Sequence, residues 1–157
     1  MKVKENIMSI GGRLIREANK LVDRTATEQV EAFKAPVLGK GEAGTLHAGR
    51  SDANGYRFLQ IVLFGSPKVK VVKGCSLEFE TSQGTITCSS DTKDIESIYS
   101  ETLEKGLTAF EIYLDDDLFR QMKSPIRSVK MTFPRKLFGK DIFTFEVDKN
   151  KFSKLFV

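Results

Sequence analysis

Nine residues, Tyr56 to Phe64 (YRFLQIVLF), restrict the fold more than any other stretch of the chain. Only Arg57 and Gln60 interrupt a run of aromatic and branched side chains, too short for a membrane span and too dense for a surface strand. Such a run predicts a strand buried on both faces. Alternating segments follow it to about Val147, so a sheet is expected to grow outward from this strand. Twelve Phe, three Tyr and no Trp supply the aromatic mass of its core. A chain of 157 residues buries roughly two-thirds of its unfolded surface without disulfides or metal.

Several strands and turns can be placed individually. Cys75 to Ser82 and Thr85 to Ser90 alternate on either side of Gln83-Gly84, which predicts a tight hairpin with those two residues as its loop. Phe79 would then face Cys88, and Leu77 would face Ser90. In that register Cys75 lies about 13 Å from Cys88, beyond disulfide reach, so two free thiols and no disulfide-linked partner are expected. Lys68 to Lys73 (KVKVVK) alternates as guarded edge strands do. Residues 91–105 are expected to be extended, Gly106 to turn the chain, and Phe110, Ile112 and Leu114 to point inward. Ile126 to Phe133 and Asp141 to Val147 form a hairpin closing the sheet, with Leu137 to Gly139 as its turn and Ile126 out of register. The tail KFSKLFV is expected to dock one helical turn through Phe152, Leu155 and Phe156.

Before the long strand the pattern is helical. Residues 5–24 space Ile7, Ile10, Leu14, Ala18 and Leu21 along one side, with Arg13, Arg16 and Lys20 opposite, as in an amphipathic helix packed on an open sheet face. Thr25 and Glu28 form a capping box that starts a second helix, carrying Val30 and Phe33 and running to about Lys34, with Pro36 ending it. The expected architecture is α+β: an N-terminal amphipathic helical segment packed on a mostly antiparallel sheet of about seven strands, a sandwich or partial barrel. One domain spans residues 1–157, with 1–36 helical, 37–55 a glycine-rich loop and 56–157 a β-rich body.

That loop carries the only enzyme-like set, His47, Arg50 and Asp52, followed by Tyr56 and Arg57. A histidine can act as general base and an arginine can hold a carboxylate or phosphate. Its glycines match no phosphate-binding fingerprint, and a flexible entry to the first strand with Asn54-Gly55 as a turn is the plainer expectation. No metal site is expected. His47 is the only histidine, and Asp115 to Asp117 lack the alternation of a calcium loop and fit a helix cap instead. No cofactor fingerprint is present either.

Charge is unevenly distributed. Residues 74–117 hold eleven acidic and two basic side chains, a balance of −9, whereas residues 118–157 hold three and ten, a balance of +7. The surface residues singled out for binding are Arg13, Arg16, Lys20, Lys130, Arg135, Lys136 and Lys140. They suit a protein partner or self-association through oppositely charged faces, which salt would weaken. Other readings are an acidic membrane met by the N-terminal helix and, as a minority, nucleic acid, which would call for exposed aromatics among the basic residues. The N-terminus lacks the apolar core of a signal peptide, which favours the cytoplasm. The functional expectation is a non-enzymatic binding module, with a small hydrolytic or phosphate-handling enzyme built on His47 as the alternative.

Overall fold

A computed structural model describes residues 25–157. The helix expected over residues 5–24, with Arg13, Arg16 and Lys20, lies outside the described residues. The strands are β1 (Gly39–Gly41), β2 (Gly44–Ala53), β3 (Tyr56–Gly65), β4 (Lys70–Val71), β5 (Ser76–Thr81), β6 (Gly84–Ser89), β7 (Ile95–Glu96), β8 (Ile98–Ser100), β9 (Lys105–Tyr113), β10 (Ile126–Pro134) and β11 (Lys140–Val147). Three short helices join them: α1 (Ala26–Ala32), α2 (Asp116–Gln121) and α3 (Lys149–Ser153), the last continuing as a 3-10 turn over Lys154–Phe156.

Nine strands make one antiparallel sheet in the order β6-β5-β10-β11-β1-β2-β3-β9-β8, curled into a half-barrel, and β4 and β7 form a separate ribbon. The expected seven strands are therefore too few. The missing strands come from the segment assigned to a loop: residues 39–53 are β1 and β2, not a glycine-rich loop. Glycines are used there because backbones touch. A Cβ on Gly41 would lie 2.1 Å from the Thr144 carbonyl oxygen, and one on Gly44 would lie 2.1 Å from that of Phe64.

β3 is buried on both faces, as its sequence predicts. Leu59, Ile61 and Leu63 join the main core with Phe79, Phe110, Met131, Phe133 and Phe145. On the opposite face Val62 packs with Leu107 under Val30 and Phe33 of the α1 region. Thr25 caps α1 through the expected box, but the helix ends at Ala32, two residues early. Phe33 turns extended, which lays its ring on Phe64 at 5.8 Å and against His47 at 5.0 Å.

Other turns depart from expectation in instructive ways. The β5–β6 loop is Ser82-Gln83, with Thr81 paired to Gly84, so Phe79 faces Ile86 and Leu77 faces Cys88. Gly84 belongs to the strand and absorbs a φ of +129° at its start. Cys75 thereby becomes a diagonal neighbour of Cys88, nearer than the sequence register implies, and both thiols are free. Gly106 does not turn the chain; it lies inside β9, where Tyr99 packs on it, and the turn falls at residues 101–104. The lysine-alternating segment is not an edge of the main sheet but forms β4 of the ribbon. Asn54-Gly55, both at positive φ, make the β2–β3 turn as predicted, in the manner of a type I′ hairpin.

The hairpin of β10 and β11 is correctly foreseen but does not close the sheet; β11 pairs onward with β1 and stands near its middle. Ile126 falls out of alternation because the register with β5 shifts between Ile126 and Ser128, a bulge that keeps Ile126 buried. Asp115 caps α2 by accepting from the Leu118 amide. Phe152 and Phe156 of the tail are buried, as their spacing implies.

Two glycines with positive φ separate backbone strain from close contact. Gly44 (φ +146°) is pressed against neighbouring backbone, while Gly84 (φ +129°) has open space where a Cβ would go. Gly44→Ala is expected to lower unfolding free energy by about 3 kcal/mol and Gly84→Ala by only about 1 kcal/mol, as read by urea denaturation.

Candidate functional site

The enzyme-like set does not converge. Residues alternate across β2, so His47 projects to the face covered by α1, whereas Arg50 and Asp52 project to the face of the main core. His47 is buried, 3% exposed. Its Nδ1 lies 2.9 Å from the Pro36 carbonyl oxygen and its Nε2 lies 2.7 Å from Thr45 Oγ1. A carbonyl can only accept, so Nδ1 carries the proton and Nε2 accepts from the Thr45 hydroxyl. With both nitrogens occupied and Phe33 edge-on to the ring, the imidazole acts as a packed, hydrogen-bonded core group.

Arg50 has a different task. It grips Asp52 through two nitrogens, at 3.0 and 3.2 Å, and donates to the backbone oxygens of Leu155 and Val157 at 3.2 and 3.0 Å. Its guanidinium lies 4.7 Å from the centroid of the Phe119 ring; that of Arg57 lies 4.0 Å away and Lys123 Nζ 5.1 Å away. Such cation–ring contacts fix the seat of the C-terminal turn. Tyr56 turns away to the opposite face, against Tyr113 at 5.8 Å.

The basic residues nominated for binding divide in the same way. Lys130 sits on β10 directly opposite Glu78 and pairs with it at 3.5 Å. Arg135, Lys136 and Lys140, by contrast, come together around the β10–β11 turn. Asp141 accepts from Arg135 at 2.5 Å and raises the pKa of its guanidinium, leaving Lys136 and Lys140 exposed at the tip. Between them stand Leu137 and Phe138, 82% and 84% exposed, with Ile142 at 45% just behind. Sequence reading takes Leu137 and Phe138 only as part of a turn. The signal it passes over is two large apolar residues in a hairpin loop, where polar turn formers are the rule.

The hairpin rises past its neighbour. β11 pairs with β10 from Lys140 to Glu146, yet with β1 only at Glu146 and Val147. The Asp148 amide donates to the Leu38 carbonyl on the β1 side. Backbone groups of alternate residues point to one side of an antiparallel strand, so those of Ile142 point the same way, where β1 has already turned back. An open concavity of about 880 Å³ occupies this step, lined by Lys40, Gly41, Glu42, Ile142, Phe143 and Thr144 among others. A strand edge unpaired among the described residues, a cluster of exposed apolar side chains and two lysines thus adjoin one another.

Among the described residues no group of His, Cys, Asp and Glu is placed to hold a metal ion, and no helix is long and apolar enough to cross a membrane. Burial pushes the thiols of Cys75 and Cys88 up to about 12, which leaves both as unreactive thiols at neutral pH. No protein-family model, curated protein or solved structure matches the chain.

Burial lowers the pKa of His47 below its ordinary 6.5. As pH falls through 6.5 the unfolded chain takes up a proton that the folded chain resists, so stability declines until the folded value is reached. The slope approaches ~1.4 kcal/mol per pH unit for one proton. Urea denaturation of the wild type and His47→Gln between about pH 7.5 and pH 5 is expected to show a shallower decline in the variant.

Proposed function

We propose that the protein is a non-enzymatic binding module that engages a protein partner through the projecting end of the β10–β11 hairpin and the step beside it. The observation that carries this reading is the coincidence of Leu137, Phe138 and Ile142, all exposed, with a strand edge at Ile142 that meets no neighbouring strand among the described residues. An extended segment laid along β11 would find main-chain partners at Ile142, apolar contacts at the tip and charge at Lys136 and Lys140. Covering a large apolar side chain contributes roughly 1.5 to 3 kcal/mol, so the tip residues are the anchors of this interface. The enzyme alternative has no comparable support, because His47 and Arg50 face opposite ways. A cytoplasmic setting belongs to the same reading, with the two free thiols in its favour.

A second reading is favoured by the tip alone. Apolar residues ringed by lysines also suit the surface of an acidic membrane, which attracts basic groups by about 1 kcal/mol each.

The test is selection of short peptides from a random display library on the immobilised wild type. The binders are then measured against Leu137→Ser/Phe138→Ser and against Ile142→Pro. Proline is tolerated at Ile142 because its N–H points to the open side. Binding is expected to weaken about tenfold or more in both variants at unchanged melting temperature; equal binding to all three proteins rejects the site. Sedimentation with vesicles containing phosphatidylserine, abolished in the tip variant and accompanied by no selected peptide, would put the membrane reading in its place.

A further inference from the structure

The sheet has two outer edges, and they are treated differently. β8 is three residues long and lies against α1, where Thr27 Oγ1 and Ser100 Oγ are 2.6 Å apart. β6 is six residues long, GTITCS, and among the described residues it pairs only with β5. It contains no charged residue and no proline, and its pairing with β5 runs without a register shift. Edges of soluble proteins are ordinarily blunted by one of these devices.

The backbone direction along β6 follows from one hydrogen bond. The Ser90 amide donates to the Cys75 carbonyl at 2.8 Å, so the backbone groups of Gly84, Ile86 and Cys88 turn towards β5. Those of Thr85, Thr87 and Ser89 turn outward. The same three residues carry exposed hydroxyl side chains, while Ile86 is buried and Cys88 half-buried on the core face.

We infer that β6 pairs antiparallel with β6 of a second copy of this chain, about a two-fold axis at Thr87. In that register Thr87 meets Thr87 of the second copy and Thr85 meets Ser89, so every outward N–H and C=O of the three residues finds a partner. Hydroxyl-bearing pairs lie on the solvent face, where they are favourable neighbours. On the core face Ile86 meets Cys88, which covers the half-exposed thiol. No charge opposes a like charge. The nearby carboxylates are engaged within their own sheet, Glu78 by Lys130 at 3.5 Å, Glu80 by the Thr85 hydroxyl at 2.7 Å and Asp91 by the Tyr113 amide. A strand edge complementary to itself identifies the second copy as the occupant, since an isologous contact needs only one surface. The β10–β11 tip takes no part, so this pairing stands apart from the partner site proposed above.

The experiment is sedimentation equilibrium of the full chain over a hundredfold range of concentration, at low and at high sodium chloride, with Thr87→Lys alongside. The mass is expected to move from one protomer to two. Because no ion pair is formed, salt should change the association constant little, unlike association through oppositely charged faces. Thr87→Lys sets like charges opposite each other on an exposed position and is expected to weaken association roughly tenfold or more. A monomer throughout the range overturns the inference. So does association that salt abolishes or that Thr87→Lys leaves intact. Should the variant melt early, amide exchange of the wild type decides: slowing of Thr85, Thr87 and Ser89 with rising concentration supports the pairing, and unchanged exchange overturns it.

Discussion

The sheet depends on backbones meeting without side chains between them at β1. This three-residue strand joins two four-stranded halves, β6-β5-β10-β11 on one side and β2-β3-β9-β8 on the other. It holds β11 through two residue pairs and β2 through three. A Cβ at Gly39 would approach the Glu146 carbonyl oxygen to 2.8 Å, and one at Gly41 would approach that of Thr144 to 2.1 Å. Any larger residue would separate the halves, because backbone, unlike a flexible side chain, cannot move aside locally. The shortness of β1 also makes the step above it. Where β1 turns back into β2, the upper part of β11 loses its neighbour. One constraint thus joins the halves of the sheet and opens the candidate interface.

How far the fold was legible follows from this. Strands whose side chains alternate against a core announce themselves, as β5, β9, β10 and β11 do, and the unbroken apolar run of β3 does so as well. Even the misfit of Ile126 was visible in the sequence and became a bulge. β1 and β2 were hidden because glycine and small side chains dominate them, a composition that also marks loops. The distinction lies in what the backbone touches, and that depends on β11, about a hundred residues further along. The β5–β6 register failed for a related reason. Gly84 looks like a loop residue, but its positive φ is used at the first position of the strand, displacing the turn by one residue.

The candidate site was legible in charge and hidden in hydrophobicity. Arg135, Lys136 and Lys140 stand out as basic residues near one another, and the fold gathers them at one tip. Leu137 and Phe138 between them are hidden because Gly139 marks the segment as a turn, and turn position alone does not tell how far an apolar side chain projects. His47, Arg50 and Asp52 mislead in the opposite way. Proximity in sequence suggested a constellation, yet residues an odd number of positions apart on a strand occupy opposite faces. Had residues 44–53 been recognised as a strand, alternation alone would have separated His47 from its supposed partners.

The segregation of charge along the chain resolves in part into contacts between neighbours. The acidic segment contributes β5 and the basic segment β10, and antiparallel pairing sets Glu78 against Lys130. Lys68 and Glu101, as well as Arg135 and Asp141, make further pairs. Exposed pairs of this kind contribute little to stability, typically less than about 1 kcal/mol. Their larger effect is on what remains unpaired: Lys136 and Lys140 at the tip, and an edge at β6 with no charge at all. Three strand spacings separate β6 from β11, about 14 Å at the usual distance between strands. An added strand at β6 extends the sheet away from β11, so pairing with a second copy would leave the projecting tip of each protomer open to a partner.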